Sequence, residues 1–150
     1  MITVDEIMTT SVITLPDTAT LEAAIELMAE KNIRHIPIVD DKNKLAGLIT
    51  QRDVLAATDS TLRSKKEQNN PADIPISQVM TKKVITVDNH ATLQSAALYL
   101  QQHKYGCLPV VIDGELKGIV TDSDIVAVGI NLLEQVDVAE QAENHLGWGD

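Results

Sequence analysis

Residues 7–27, IMTTSVITLPDTATLEAAIEL, are answered by residues 79–99, VMTKKVITVDNHATLQSAALY. A chain that repeats itself at fixed spacing must fold as copies of one unit that bury surface against each other. The offset is 72 residues, from Met8 to Met80. Between Ile7–Val39 and Val79–Val111, 11 of 33 positions are identical: Met8, Thr9, Val12, Ile13, Thr14, Ala19, Thr20, Leu21, Ala24, Pro37 and Val39. Further on, GLITQRD at 47–53 is answered by GIVTDSD at 118–124, now at an offset of 71. The lost residue falls between two extended segments, where a turn changes length at little cost.

Each copy has the same order of local signals. A short extended segment, VITL or VITV, leads to a helix capped by Thr20 or Thr92. Leu21, Ala24, Ile25 and Met28 form one apolar stripe, matched by Leu93, Ala96, Ala97 and Leu100. A strand follows, IPIV or LPVV, then a turn and a second strand ending GLIT or GIVT. Asp113-Gly114 is a strong two-residue hairpin signal, and copy one has the longer DDKNK there. A second helix begins near Gln51 and near Asp122. The expected class is α/β, built from two β-α-β-β-α units. Residues 1–58 are predicted as repeat one, 59–73 as a polar linker with Pro71, 74–135 as repeat two, and 136–150 as a C-terminal helical extension. Leu132, Leu133, Val136 and Ala139 of the continuing helix are expected to pack on the pair or on a second chain, and the closing GWGD to fray.

Composition narrows the chemistry. At 44% hydrophobic residues, 150 residues can bury one sizeable core or two small ones packed together. With no Phe, two Tyr and one Trp, that core is aliphatic. A net charge of −10 argues against a nucleic-acid binder, which needs a basic face to displace counterions. The single cysteine, Cys107, can form no internal disulfide and is expected to pack beside Leu108 rather than act as a nucleophile. The start, MITVDEIMTT, carries acids where a signal peptide carries bases, and no apolar run is long enough for a membrane span. The expectation is a soluble, cytoplasmic chain without membrane insertion.

The repeated G-x-x-T-x-x-D phrase supports two readings. Thr50-x-x-Asp53 and Thr121-x-x-Asp124 fit helix capping boxes, with the glycine letting its strand pass close to a neighbour. The same geometry suits a ligand. A helix N-terminus at a strand end attracts an anion, a carboxylate can accept both hydroxyls of a ribose, and a threonine can bond a phosphate.

These residues also carry a family resemblance. The two IMT/VMT…VIT starts, the strands at His35-Ile36-Pro37 and Cys107-Leu108-Pro109, and the two G-h-h-T-x-x-D endings make residues 2–132 resemble a tandem pair of CBS domains, a Bateman module. The resemblance implies two repeats packed through their sheets about a pseudo-twofold axis, leaving two clefts. It implies that Thr121 and Asp124, with Ser123 between them, face Val12, Ile13 and the Ile33-Arg34-His35 segment. Thr50, Arg52 and Asp53 would face Val84, Ile85 and the Tyr105-Gly106-Cys107 segment. The aspartates would hold ribose, the threonines phosphate, and backbone near Ile13, Ile36, Ile85 and Leu108 would read a base. If the packing is crossed in this way, Arg34 and His35 supply positive charge to the Asp124 cleft and Arg52 to the Asp53 cleft. The implied ligand is an adenosine nucleotide such as AMP, ADP or ATP, or else S-adenosylmethionine or NAD(H), and Mg²⁺ could accompany it. The implied assembly is a homodimer that signals to an effector protein. A ligand-free docking module and a Mg²⁺ sensor are the alternatives. The four histidines show no metal-ligand spacing and no acid–base constellation is visible, so neither a catalytic cofactor nor enzymatic activity is expected.

Overall fold

A computed structural model of the chain describes residues 1–59, 70–103 and 106–145. Most of the expected linker, Tyr105 and the closing GWGD lie outside the described residues. Copy one supplies β1 (Leu15–Pro16), α1 (Leu21–Lys31), β2 (His35–Val39), β3 (Leu45–Thr50) and α2 (Gln51–Asp59). Copy two supplies α3 (Leu93–Gln102), β4 (Cys107–Ile112), β5 (Glu115–Thr121) and α4 (Asp122–His145).

Local chemistry sets these boundaries. The Ala23 N–H donates to Thr20 Oγ1 at 3.3 Å and the Ser95 N–H to Thr92 Oγ1 at 3.1 Å, so each first helix starts where a threonine takes up an orphan donor. Helix α1 stops at Asn32, which adopts φ 53°. Asp113 and Gly114 have φ of 53° and 83°, the signs that a type I′ hairpin turn needs, and they join β4 to β5. In copy one the longer turn is held by Asp40, whose carboxylate accepts the N–H groups of Lys42 and Lys44 at 2.8 and 2.9 Å. Those backbone bonds, Lys44 first, hold its carboxyl below the ordinary value.

The leading strand is shorter than expected. In copy one only Leu15 and Pro16 pair, in parallel with Ile38 and Val39. In copy two it shrinks to a single bridge from Val87 to Val110. Asp88 follows at once and accepts the His90 N–H at 2.8 Å, which turns the chain away from the sheet. The sheets are therefore β1-β2-β3 and β4-β5.

The two copies are tied together by exchanged segments. Ile76 stands at the start of copy two, yet it is fully buried in the core of copy one with Leu21, Ala24, Met28, Ile36, Ile38 and Ile49. The Ile76 N–H donates to Ala19 O at 2.8 Å and the Leu21 N–H to Ile74 O at 2.9 Å. Val4, at the start of copy one, is buried in the other core with Ala96, Leu108, Val110 and Val120. The Val4 N–H donates to Ala91 O at 2.8 Å. Sequence boundaries thus cut across both cores. Just beyond each exchanged segment, Thr9 bridges Ile119 and Thr81 bridges Leu48. These crossings explain the glycine of the repeated phrase. A Cβ on Gly47 would lie 2.7 Å from Met80 Sδ and 2.8 Å from Thr81 O, and one on Gly118 would lie 2.9 Å from Met8 Cγ and 3.1 Å from Thr9 O. Leu48, Cys107 and Ile119 fill the seam between the copies, with Val12 and Val84 against them.

Helix α4 runs through residues 135 and 136 without a break. Leu132, Leu133 and Val136, expected to pack on the pair or on a second chain, do not pack on the pair: they are 46%, 66% and 51% exposed, and Ala139 is exposed too. The helix has by then outrun the sheet that covers Ile125. No helix among the described residues is long and apolar enough to cross a membrane.

Candidate functional site

Both G-x-x-T-x-x-D phrases end a strand and open a helix, β3 into α2 and β5 into α4. Both form reciprocal caps. The Thr50 N–H donates to Asp53 Oδ2 at 2.9 Å, and the Asp53 N–H donates to Thr50 Oγ1 at 3.2 Å. The Thr121 N–H donates to Asp124 Oδ2 at 2.9 Å, and the Asp124 N–H donates to Thr121 Oγ1 at 3.2 Å. Each carboxylate spends Oδ2 on its cap, and Oδ1 has no protein donor among the described residues. Capping therefore does not use up the acceptor capacity that a ribose would need.

The first cleft, of about 260 Å³, lies between the copies. Val12, Ile13 and Ile33 give it an aliphatic wall, and Arg34, His35, Thr121 and Ser123 give it a polar one. Asp124 stands beside this cleft in the cap and is not part of its lining. The second cleft, of about 410 Å³, is lined by Thr50, Arg52, Asp53 and Gly106, and by Arg34 and His35 again. Arg34 and His35, expected to serve one cleft, thus border both. So does Asp122, whose Oδ1 accepts the Ser123 N–H at 2.9 Å.

Val84, Ile85 and Cys107 do not line the second cleft. They surround a separate space of about 10 Å³, with Leu48, Thr81, Lys83 and Tyr99. At the repeat offsets, these residues correspond to the lining of the first cleft: Thr9, Ser11, Val12, Ile13, His35 and Ile119 stand where Thr81, Lys83, Val84, Ile85, Cys107 and Leu48 stand. The counterpart of the first cleft is thus shared between this space and the second cleft, where Thr50, Gln51, Arg52, Gly106 and Thr81 stand for Thr121, Asp122, Ser123, Arg34 and Thr9. The small space has Lys83 in the place of Ser11, and it is lined by Tyr99, whose counterpart Leu27 does not line the first cleft. The Tyr99 ring stacks on His103 at 4.2 Å between centroids.

Ile36 and Leu108, expected beside a base, are fully buried and line neither cleft. Strand alternation turns them into the two cores, while His35, one residue earlier, reaches the cleft. Cys107 is 2% exposed. Burial, and then the nearby Asp122 charge, push its thiol up to about 12, so it is a protonated, unreactive side chain at neutral pH. Among the described residues no group of three or more His, Cys, Asp and Glu is placed to hold a metal ion.

A family model described as CBS domain matches residues 4–60 and 76–130. A solved structure of a proposed acetoin utilization protein (AcuB) from Vibrio cholerae superposes with a TM-score of 0.82 and 45% identity, covering 91% of this chain and 98% of that one. CBSX2 in complex with AMP superposes with a TM-score of 0.76 and 27% identity over 88% of this chain and 98% of that one. The CBS domain pair of MJ0100, in complex with 5′-methylthioadenosine and S-adenosyl-L-methionine, gives a TM-score of 0.71 and 28% identity over 86% and 96% of the two chains. The first curated relatives are longer proteins. The chain spans 24% of the homoserine O-acetyltransferase of Methanococcus vannielii, to which it is 38% identical over 123 residues, 81% of its own length.

Proposed function

The chain belongs to the CBS domain family, and from that premise we propose that it is a regulatory module that binds an adenosine nucleotide between its two repeats. One observation carries this reading. The first cleft sets an aliphatic wall of Val12, Ile13 and Ile33 opposite Thr121 and the start of α4, with Arg34 at its edge. An aliphatic slot accepts a purine, a helix N-terminus with a cation beside it accepts phosphate, and the free oxygen of Asp124 is available to a ribose. AMP, 5′-methylthioadenosine and S-adenosylmethionine in the similar structures share that adenosine part. The module acts by binding rather than by catalysis, and passes the signal to a partner chain.

A thermal-unfolding scan with AMP, ADP, ATP and S-adenosylmethionine, each with and without Mg²⁺, tests this reading. A ligand at 100 times its dissociation constant stabilises by about 2.7 kcal/mol, roughly 5–10 °C at this chain length. Asp124→Ala should abolish that ligand-induced shift. The variant also loses a cap worth about 1 kcal/mol, so the shift is read against its own unliganded midpoint. No shift with any adenosine compound would sink the proposal.

One observation favours a second, compatible role. Val126, Ile130, Leu133 and Val138 of α4 are each more than half exposed. A surface of that kind fits association, and a second copy of the chain is the partner we assign to it.

A further inference from the structure

We infer that Asp122 is a charge filter on the first cleft: it admits an adenosine compound with one phosphate and weakens binding as further phosphates are added. The inference rests on the nucleotide reading above and adds a specificity-determining residue to it. Two observations carry it. First, Asp122 stands where a phosphate chain would grow. Thr121 and Ser123 line the first cleft and not the second, whereas Arg34, His35 and Asp122 line both and form the divide between them. One phosphate on a nucleoside fits beside Thr121, Ser123 and Arg34. Further phosphates reach the divide, and past it Arg52 is matched by Asp53 in the same lining.

Second, the Asp122 carboxylate is not neutralised by a neighbour. Its Oδ1 accepts the Ser123 N–H at 2.9 Å, so it already takes a donor that an anion at the start of α4 would use. Arg34 is the one arginine or lysine in the lining of the first cleft among the described residues. It makes no ion pair with Asp122 there, where the salt bridge formed is Lys117–Glu115. The charge of Asp122 is felt as far as the seam, where it adds to the effect of burial in raising the Cys107 thiol. A longer phosphate chain thus brings more negative charge to a carboxylate and gains no further cation in this cleft. The repeat counterpart of Asp122 is the uncharged Gln51, so the acid belongs to this copy and not to the repeated phrase as such.

Isothermal titration with AMP and with ATP, without divalent cations, tests this. The step that belongs to the first cleft is the one that Asp124→Ala removes. In that step AMP is expected to bind about tenfold tighter than ATP, the scale of one like-charge contact. Asp122→Asn, which keeps an acceptor for the Ser123 N–H, should bring the two affinities within about twofold of each other. Asp122→Gln, the residue type of Gln51, should do the same. Asp137→Asn removes an equal charge from an exposed position farther along α4 and should leave the ratio unchanged. ATP binding as tightly as AMP to the unaltered chain, a ratio that Asp122→Asn leaves in place, or one that Asp137→Asn moves equally would overturn the inference while leaving the nucleotide reading intact. Absence of binding by every adenosine compound would remove both.

Discussion

At the scale of single residues, the repeated phrase divides its labour. Its threonine and aspartate close the cap, and its glycine makes room for the opposite copy. At Gly47 a Cβ would meet the flexible Met80 side chain at 2.7 Å and the Thr81 carbonyl at 2.8 Å, and that carbonyl, the obstacle that cannot swing aside, already accepts the Leu48 N–H at 2.9 Å. Gly47→Ala must therefore push the crossing strand off its bridge. At Gly118 the nearest backbone oxygen is farther, 3.1 Å, and the closer obstacle is the flexible Met8 side chain. Urea denaturation should show Gly47→Ala losing about 1–3 kcal/mol, and Gly118→Ala losing less. Equal losses would mean that the methionines, not the crossing backbone, set the constraint. A glycine at a strand position is readable as a close approach, but sequence does not name the neighbour. For the same reason Arg34 was legible as a cation beside a cleft, whereas its position between two clefts was not.

At the scale of elements, what was legible followed from local chemistry. Thr20, Thr92 and Asp113-Gly114 fix their helix starts and hairpin through bonds and dihedrals within a few residues, and sequence carries that information in full. The exchange of leading segments is different in kind. Periodicity tells which side of Ile74-Pro75-Ile76 is apolar, not which core receives it, and the segment is too short to show a preference. The same gap explains Tyr99: a helical stripe position marks it as inward-facing without saying that it lines the space beside Val84 and Ile85. Ile76→Ala checks the exchange directly. Ile76 is fully buried against α1 and β2, so truncation should cost about 2–5 kcal/mol. The lost contacts belong to copy one, so amide exchange should accelerate first in α1 rather than in α3. Earlier opening of α3 would contradict the exchanged packing.

At the scale of the whole molecule, neither repeat is complete alone. Residues 1–59 lack Ile76, and residues 70–150 lack Val4. Expressed separately, each fragment should show no cooperative thermal transition, and an equimolar mixture should regain one. A sharp transition in either fragment by itself would show that a single repeat holds its core without the exchanged segment. The crossing also bears on ancestry. A gene for one unit would have encoded a chain whose leading arm could be buried only in a sister chain, so that its simplest stable form was a reciprocal dimer. Fusing two such genes turns an encounter between chains into an encounter within one, at an effective concentration in the millimolar range. It also ends the enforced identity of the two halves. Leu27 and Tyr99 differ at one repeat position, a difference that two copies of a single gene product could not carry.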